Sequence, residues 1–159
     1  MEVRFLGATE KVTGSRHLVT SGRSKELVDC GLFHGRKNHR LRNWLPFPIR
    51  PSEIDGVIST HAHLDHSGNL PKLIQGGFNG RVYCTAATKD LCRVLLPDSG
   101  YLQEGEARFA NKHGYSKHRA ARPHYTEDEA EKALASFDAV EWGKRALRFP
   151  VISVAQAIL

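Results

Sequence analysis

The chain has 159 residues, with 23 Lys and Arg against 17 Asp and Glu for a formal net charge of +6; 40% of it is hydrophobic and 25% charged. That balance excludes a collagenous repeat, an acidic disordered tail and a disulfide scaffold, and it suits one globular domain. Three cysteines, Cys30, Cys84 and Cys92, form no Cys-x-x-Cys pair, so a reducing compartment fits best. The start lacks the basic and apolar regions of a signal peptide, and no long uncharged apolar run follows. A soluble, cytoplasmic chain without a membrane span is therefore expected. The positive balance attracts polyanions in general.

In chain order, Val3 to Leu6 reads as a short extended run, and Arg16 to Thr20 with Glu26 to Val28 read as strands joined across Ser21-Gly22-Arg23-Ser24, an antiparallel meander. Residues 35–50 carry Arg36, Lys37, His39, Arg40, Arg42 and Arg50 with Pro46 and Pro48, a broken pattern expected to be a basic, solvated loop, with an RNA-facing role as the alternative. Ile54 to Ser59 is an apolar strand. Asn69 is expected to cap a helix with Pro71 in its first turn, ending at Gly76-Gly77. Gly80 to Cys84 is another strand. Thr85 to Leu96 reads as a helix whose apolar side is Leu91, Val94 and Leu95, and the polar stretch 97–125 as helix giving way to loop. Thr126-Glu127-Asp128-Glu129 opens a helix running to about Ser136, with Thr126 as cap. Ala139 to Trp142 and Ala146 to Phe149 are expected to form a hairpin around Gly143-Lys144. Strands alternating with helices in the middle of the chain point to an α/β layer architecture.

The chemistry concentrates in Ser59-Thr60-His61-Ala62-His63-Leu64-Asp65-His66-Ser67-Gly68-Asn69, between a buried strand and a helix. His61, His63, Asp65 and His66 all carry side chains that ligate zinc. His61 and His63, two apart on extended backbone, project to one side, so one ion can take both. Asp65 and His66, at the turn into the helix, point to a neighbouring position. Two ions about 3.5–4 Å apart are a common hydrolytic arrangement. His17, His34, His39, His113, His118 and His124 lack such company and are expected to be ordinary surface or core residues.

The His61-x-His63-x-Asp65-His66 motif resembles the central motif of the metallo-β-lactamase superfamily. Gly7-Ala8-Thr9, Val12-Thr13-Gly14-Ser15-Arg16-His17-Leu18-Val19 and Val28-Asp29-Cys30-Gly31-Leu32-Phe33-His34-Gly35 narrow the resemblance to its β-CASP branch of RNA-processing nucleases. The resemblance implies the N-terminal half of an α/β, αββα four-layer sandwich over residues 1–149. It also implies two zinc ions, the first on His61 and His63 and the second on Asp65 and His66. Asp29 would support the metal loop by hydrogen bonding, and Asp65 would also orient the attacking hydroxide. The implied activity is a zinc-dependent ribonuclease that hydrolyses phosphodiester bonds by a metal-bound hydroxide, with RNA as partner.

Later family ligands, including a histidine in a Gly-His-x-x-Gly-Ser-Ala stretch, have no counterpart up to Phe149. Residues 150–159, Pro-Val-Ile-Ser-Val-Ala-Gln-Ala-Ile-Leu, hold no charge and are expected to be a truncated or frameshifted tail. Half of a two-sheet sandwich would leave apolar sheet uncovered, so association into a homodimer, with a partner chain or by aggregation is expected. The competing readings are another hydrolase on the same site, acting on a thioester or lactam, and an inactive remnant or binding module.

Overall fold

A computed structural model describes residues 1–9, 12–115 and 120–141. Among them all six strands belong to one sheet: β1 (Glu2–Phe5), β2 (His17–Ser21), β3 (Ser24–Val28), β4 (Gly56–Ile58), β5 (Arg81–Cys84) and β6 (Phe137–Ala139), in spatial order 1-2-3-4-5-6. The first three strands are antiparallel, with Ser21 facing Ser24 across a two-residue turn. Gly22 sits there at φ 60, the left-handed region that tight hairpin turns demand and that glycine enters without a Cβ penalty. From β3 onward the pairing is parallel. Parallel strands are covered on both faces and read as continuous apolar runs; Leu27, Val57, Ile58 and Val82 are all fully buried.

The helices are α1 (Lys37–Arg40), α2 (Leu64–Ser67), α3 (Leu70–Gln75), α4 (Ala86–His113) and α5 (Glu127–Ala133). The core joins the sheet to Leu70, Leu73, Cys92, Leu96, Tyr125 and Ala130. None of the helices among the described residues is long and apolar enough to cross a membrane. A mixed α/β fold is thus present, with β3 to β6 as its parallel core.

Several expectations need correction. The basic stretch 35–50 is not plain loop: it winds into α1 and a 3-10 turn over Leu41–Trp44, because Asn43 exchanges two 2.9 Å hydrogen bonds with the Phe33 backbone and fixes the chain there. Helix α4 runs 28 residues through Pro97 without a break, so the helix expected from Thr85 and the helical start expected after Leu96 are one element. Proline removes one backbone donor, and packing against α5 offsets that loss. Its buried side is not Leu91 and Val94, which are 56% and 66% exposed; α4 buries Thr88, Cys92, Leu96, Ser99, Gly100 and Ala107. Beyond Leu96 the small residues Ser99 and Gly100 face inward, because Thr126 and Glu127 come very close to Gly100. Asn69 occupies the cap position of α3 but makes no capping bond. Strand β6 ends at Ala139 and pairs parallel with β5, so the expected start of a hairpin at Ala139 lies on a crossover strand; the expected strand Ala146–Phe149 and the tail 150–159 lie outside the described residues. Thr126 does cap α5 in a full capping box with Glu129.

A Cβ on Gly100 would sit 2.7 Å from the Glu127 nitrogen and the Thr126 carbonyl, whereas one on Gly105 meets only Arg108 Nη2 at 3.8 Å. Gly100→Ala is therefore expected to destabilise by about 1–3 kcal/mol through overpacking. Gly105→Ala in the same helix should stabilise by about 0.5–1 kcal/mol. Urea denaturation midpoints of the two variants check both signs.

Candidate metal centre

Strands β3 and β4 lie side by side and parallel, so the residues that follow them, Asp29 and Ser59 to Asp65, emerge together at the carboxyl edge of the sheet. That edge is where open α/β sheets place their ligands. Backbone hydrogen bonds lace the two segments. Asp29 donates to the Ile58 carbonyl (2.8 Å), Cys30 to His66 (2.7 Å), Leu32 to Leu64 (2.9 Å), and Ser15 to Asp65 (2.8 Å). Gly31 lies so close that a Cβ there would fall 1.6 Å from the Asp65 carbonyl oxygen. Only glycine permits that approach.

Asp29 sits at φ 60, an uncommon conformation for a residue with a side chain, though Asp tolerates it better than most. Its carboxylate is the hub of the loop. Oδ1 accepts from the Thr60 backbone at 2.8 Å, and the Thr60 hydroxyl lies 2.9 Å from both carboxylate oxygens. Oδ2 accepts from the Ser15 hydroxyl at 3.3 Å and faces His66 Nδ1 at 2.8 Å. An ionised carboxylate only accepts, so His66 Nδ1 carries the proton and Nε2 is the nitrogen left outward. The Asp29 hydrogen bond, ahead of the opposing effect of burial, raises the His66 pKa.

The same carboxylate reaches His61 through Thr60. The Thr60 hydroxyl has one proton, which goes to Asp29, so it accepts from His61 Nδ1 at 3.0 Å. His61 therefore also turns Nε2 outward. Burial first, then the neighbouring His66, lowers the His61 pKa and favours the neutral imidazole that metals require. Ring centroids of His61 lie 4.8 Å from His63 and 4.0 Å from His66, and Asp65 Oδ2 is 3.6 Å from His66 Nε2. The structure thus gathers His61, His63, Asp65 and His66 with Asp29 behind them. Among the described residues no three His, Cys, Asp or Glu side chains converge closely enough to cage an ion. In donor type and in the hydrogen bonds behind two of the imidazoles, the residues fit a divalent metal.

Residues 26–123 match the beta-lactamase superfamily domain. The chain belongs to that superfamily. A ribonuclease of Thermus thermophilus is 36% identical over 155 residues, covering 98% of this chain and 31% of the ribonuclease. The transcription termination factor FttA of Methanosarcina mazei is 39% identical over 99 residues, covering 62% of the chain and 16% of that factor. The chain of this superfamily member spans about a third or less of the length of these relatives. A solved metallo-β-lactamase of Cronobacter sakazakii with a HARLDQ motif aligns at 25% identity with a TM-score of 0.42, covering 57% of this chain and 33% of that one.

Residues outside the motif also shape this superfamily site. Arg16 is buried, and its Nε and Nη2 donate to the Gly31 carbonyl at 3.0 and 2.8 Å while the guanidinium lies over Phe33 and Phe47. Ser67 ties its hydroxyl to the Ala62 carbonyl at 2.9 Å. The Asn69 amide, freed from capping, donates to Cys30 Sγ at 3.6 Å and meets His124 Nε2 at 2.7 Å. In the sequence Arg16 is marked only by its place inside a flanking motif and Ser67 by its place next to His66, while Asn69 reads as a helix cap. His124, 6% exposed, has no partner for Nδ1 among the described residues, and burial pushes its pKa down to about 4.

That shift sets a pH dependence. The unfolded chain takes up the proton near pH 6.5 and the folded chain only near 4, so stability is full above pH 6.5 and falls as pH drops from 6.5 toward 4. The loss is on the order of 3 kcal/mol. His124→Gln should flatten this acid limb, read as urea midpoints between about pH 7 and pH 4.5, while the smaller contributions of His17 and His61, shifted the same way, persist.

Proposed function

We propose that this chain carries the metal-binding segment of a β-CASP-type ribonuclease that hydrolyses phosphodiester bonds in RNA. The observation that carries the reading is the 36% identity to a ribonuclease over 98% of the chain. It is supported by the gathering of three imidazoles and a carboxylate at the carboxyl edge of a parallel sheet. His61, His63, Asp65 and His66 would hold zinc, one ion on the first pair and a second on the other. When bound there, zinc supplies Lewis-acid polarisation of the phosphodiester and stabilises the charge that develops on it.

The chain's own residues do the rest. Asp29 fixes the tautomers of His66 directly and of His61 through Thr60, so both Nε2 lone pairs are presented without rotation. Asp65 takes up the proton of the attacking water at its carboxylate. Arg16 and Gly31 hold the loop close enough for Asp29 to reach it. Cys30, Cys84 and Cys92 are buried free thiols, and burial pushes the Cys84 and Cys92 pKa values to about 12 and about 11. Inert thiols of this kind agree with a cytoplasmic setting.

The test loads the chain, and the longest gene product containing it, with zinc, counts metal per protein, and compares cleavage of end-labelled RNA with hydrolysis of a thioester. RNA cleavage is expected of the longer product, with about two zinc ions bound, and Asp65→Asn is expected to reduce it by about 10²–10⁴-fold, the usual contribution of general acid–base catalysis. His61→Ala and His66→Ala should release metal. Thioester turnover without RNA cleavage overturns the substrate, and metal-free, inert protein in both forms favours the remnant.

A further inference from the structure

We infer that a second feature of the chain binds substrate: a groove of about 610 Å³ between the α1 to Trp44 segment and α4 takes a stretch of single-stranded RNA. This rests on the RNA reading above and extends it from the reacting bond to the strand on either side. The groove reaches Leu64 and Phe33, so it opens beside the metal loop.

Its two walls differ in a way that suits a single strand. One wall carries Lys37 and Arg40 from α1, and Arg122, next to the Ala121 that Asn111 of α4 holds, lines the same groove. All three are exposed, and among the described residues none is paired with a carboxylate. Unpaired cations lining a groove bind a phosphate backbone at little desolvation cost and release its counterions. The opposite wall, on α4, presents the exposed carboxylates of Asp98 and Glu106, oxygens that accept hydrogen bonds from the exocyclic amines of bases. Backbone against the basic wall and bases toward α4 satisfies both. A negatively charged partner without such donors would be repelled by the α4 side.

Trp44 lines the groove at the end of the α1 wall and is 57% exposed. An indole left in water at a groove is a stacking platform for a base, a contact that tolerates any sequence. It is also held still. His124 meets it edge-to-face at 5.4 Å between centroids, and Asn69 fixes His124 in turn at 2.7 Å. Asn69 stands three residues after His66 and is bonded to Cys30, so the platform and the metal loop share one support.

The experiment measures fluorescence anisotropy of a labelled single-stranded RNA of about 12 nucleotides with the full chain, in EDTA so that no cleavage occurs. Salt-dependent binding is expected. The pair Lys37→Glu with Arg40→Glu should weaken it by at least about tenfold and make the salt dependence shallower by roughly 1.4 in log–log slope, about 0.7 per lost phosphate contact. Arg23→Glu with Arg93→Glu, which removes the same charge outside the groove, should change it less than about threefold, the small effect left to long-range attraction. Trp44→Ala should cost about tenfold and Trp44→Phe should restore most of it. Equal loss in both charge pairs, or no response to Trp44→Ala, overturns the groove, and absence of RNA binding does so and leaves the surface to a polypeptide. Because the assay contains no metal, its failure leaves the hydrolysis experiment standing, and failure of hydrolysis leaves this result standing.

Discussion

The Asp29 carboxylate, nearly closed to solvent, organises everything at the edge of this sheet. It leaves strand β3 in a left-handed conformation and accepts hydrogen bonds from Ser15, from Thr60 twice, and from His66. Burying a charge is unfavourable unless its oxygens are fully occupied, and here the occupants are the residues that must be held. The cost of the strained backbone and of the buried charge is thereby converted into fixed orientations for His61 and His66.

That arrangement depends on close approach of three backbone segments. Ser15, the turn at 29–32 and the motif at 64–69 are stitched by main-chain bonds, with no room for a side chain at Gly31. Arg16 caps the outside, giving two hydrogen bonds to the Gly31 carbonyl from between two aromatic rings. A cation in such a position serves geometry, since the groups it meets there are a carbonyl and two rings. The parallel pairing of β3 with β4 brings the segments into register. Fold and site are therefore one construction, built from consecutive strand ends in a member of the beta-lactamase superfamily.

Much of this is legible in the residues. The motif at 61–66 announces itself because four metal-donor side chains fall in so short a window at a strand end, and the meander β1–β3 follows from alternation around Gly22. The long-range partners are not legible. Nothing local shows that Thr60 relays Asp29 to His61, or that Asn69 turns away from its helix to hold His124, since Asp29 and His124 lie tens of residues from the positions they serve. The buried face of α4 departs from its apolar periodicity for a related reason: Leu91 and Val94 are the larger apolar residues, but the close approach of Thr126 and Glu127 selects Gly100 and, beside it, Ser99. Burial there is decided by how near a neighbouring backbone comes, a quantity that hydrophobic periodicity does not carry.

The most direct measurement is of the His66 ring. Nitrogen NMR of the chain labelled at histidine, recorded at about pH 9 where imidazoles are neutral, reports which ring nitrogen holds the proton. The structure predicts the proton on Nδ1, hydrogen-bonded to Asp29, with a mixture of tautomers appearing in Asp29→Ala. A His66 ring protonated at Nε2 in the unsubstituted chain, or one indifferent to the loss of Asp29, would contradict it.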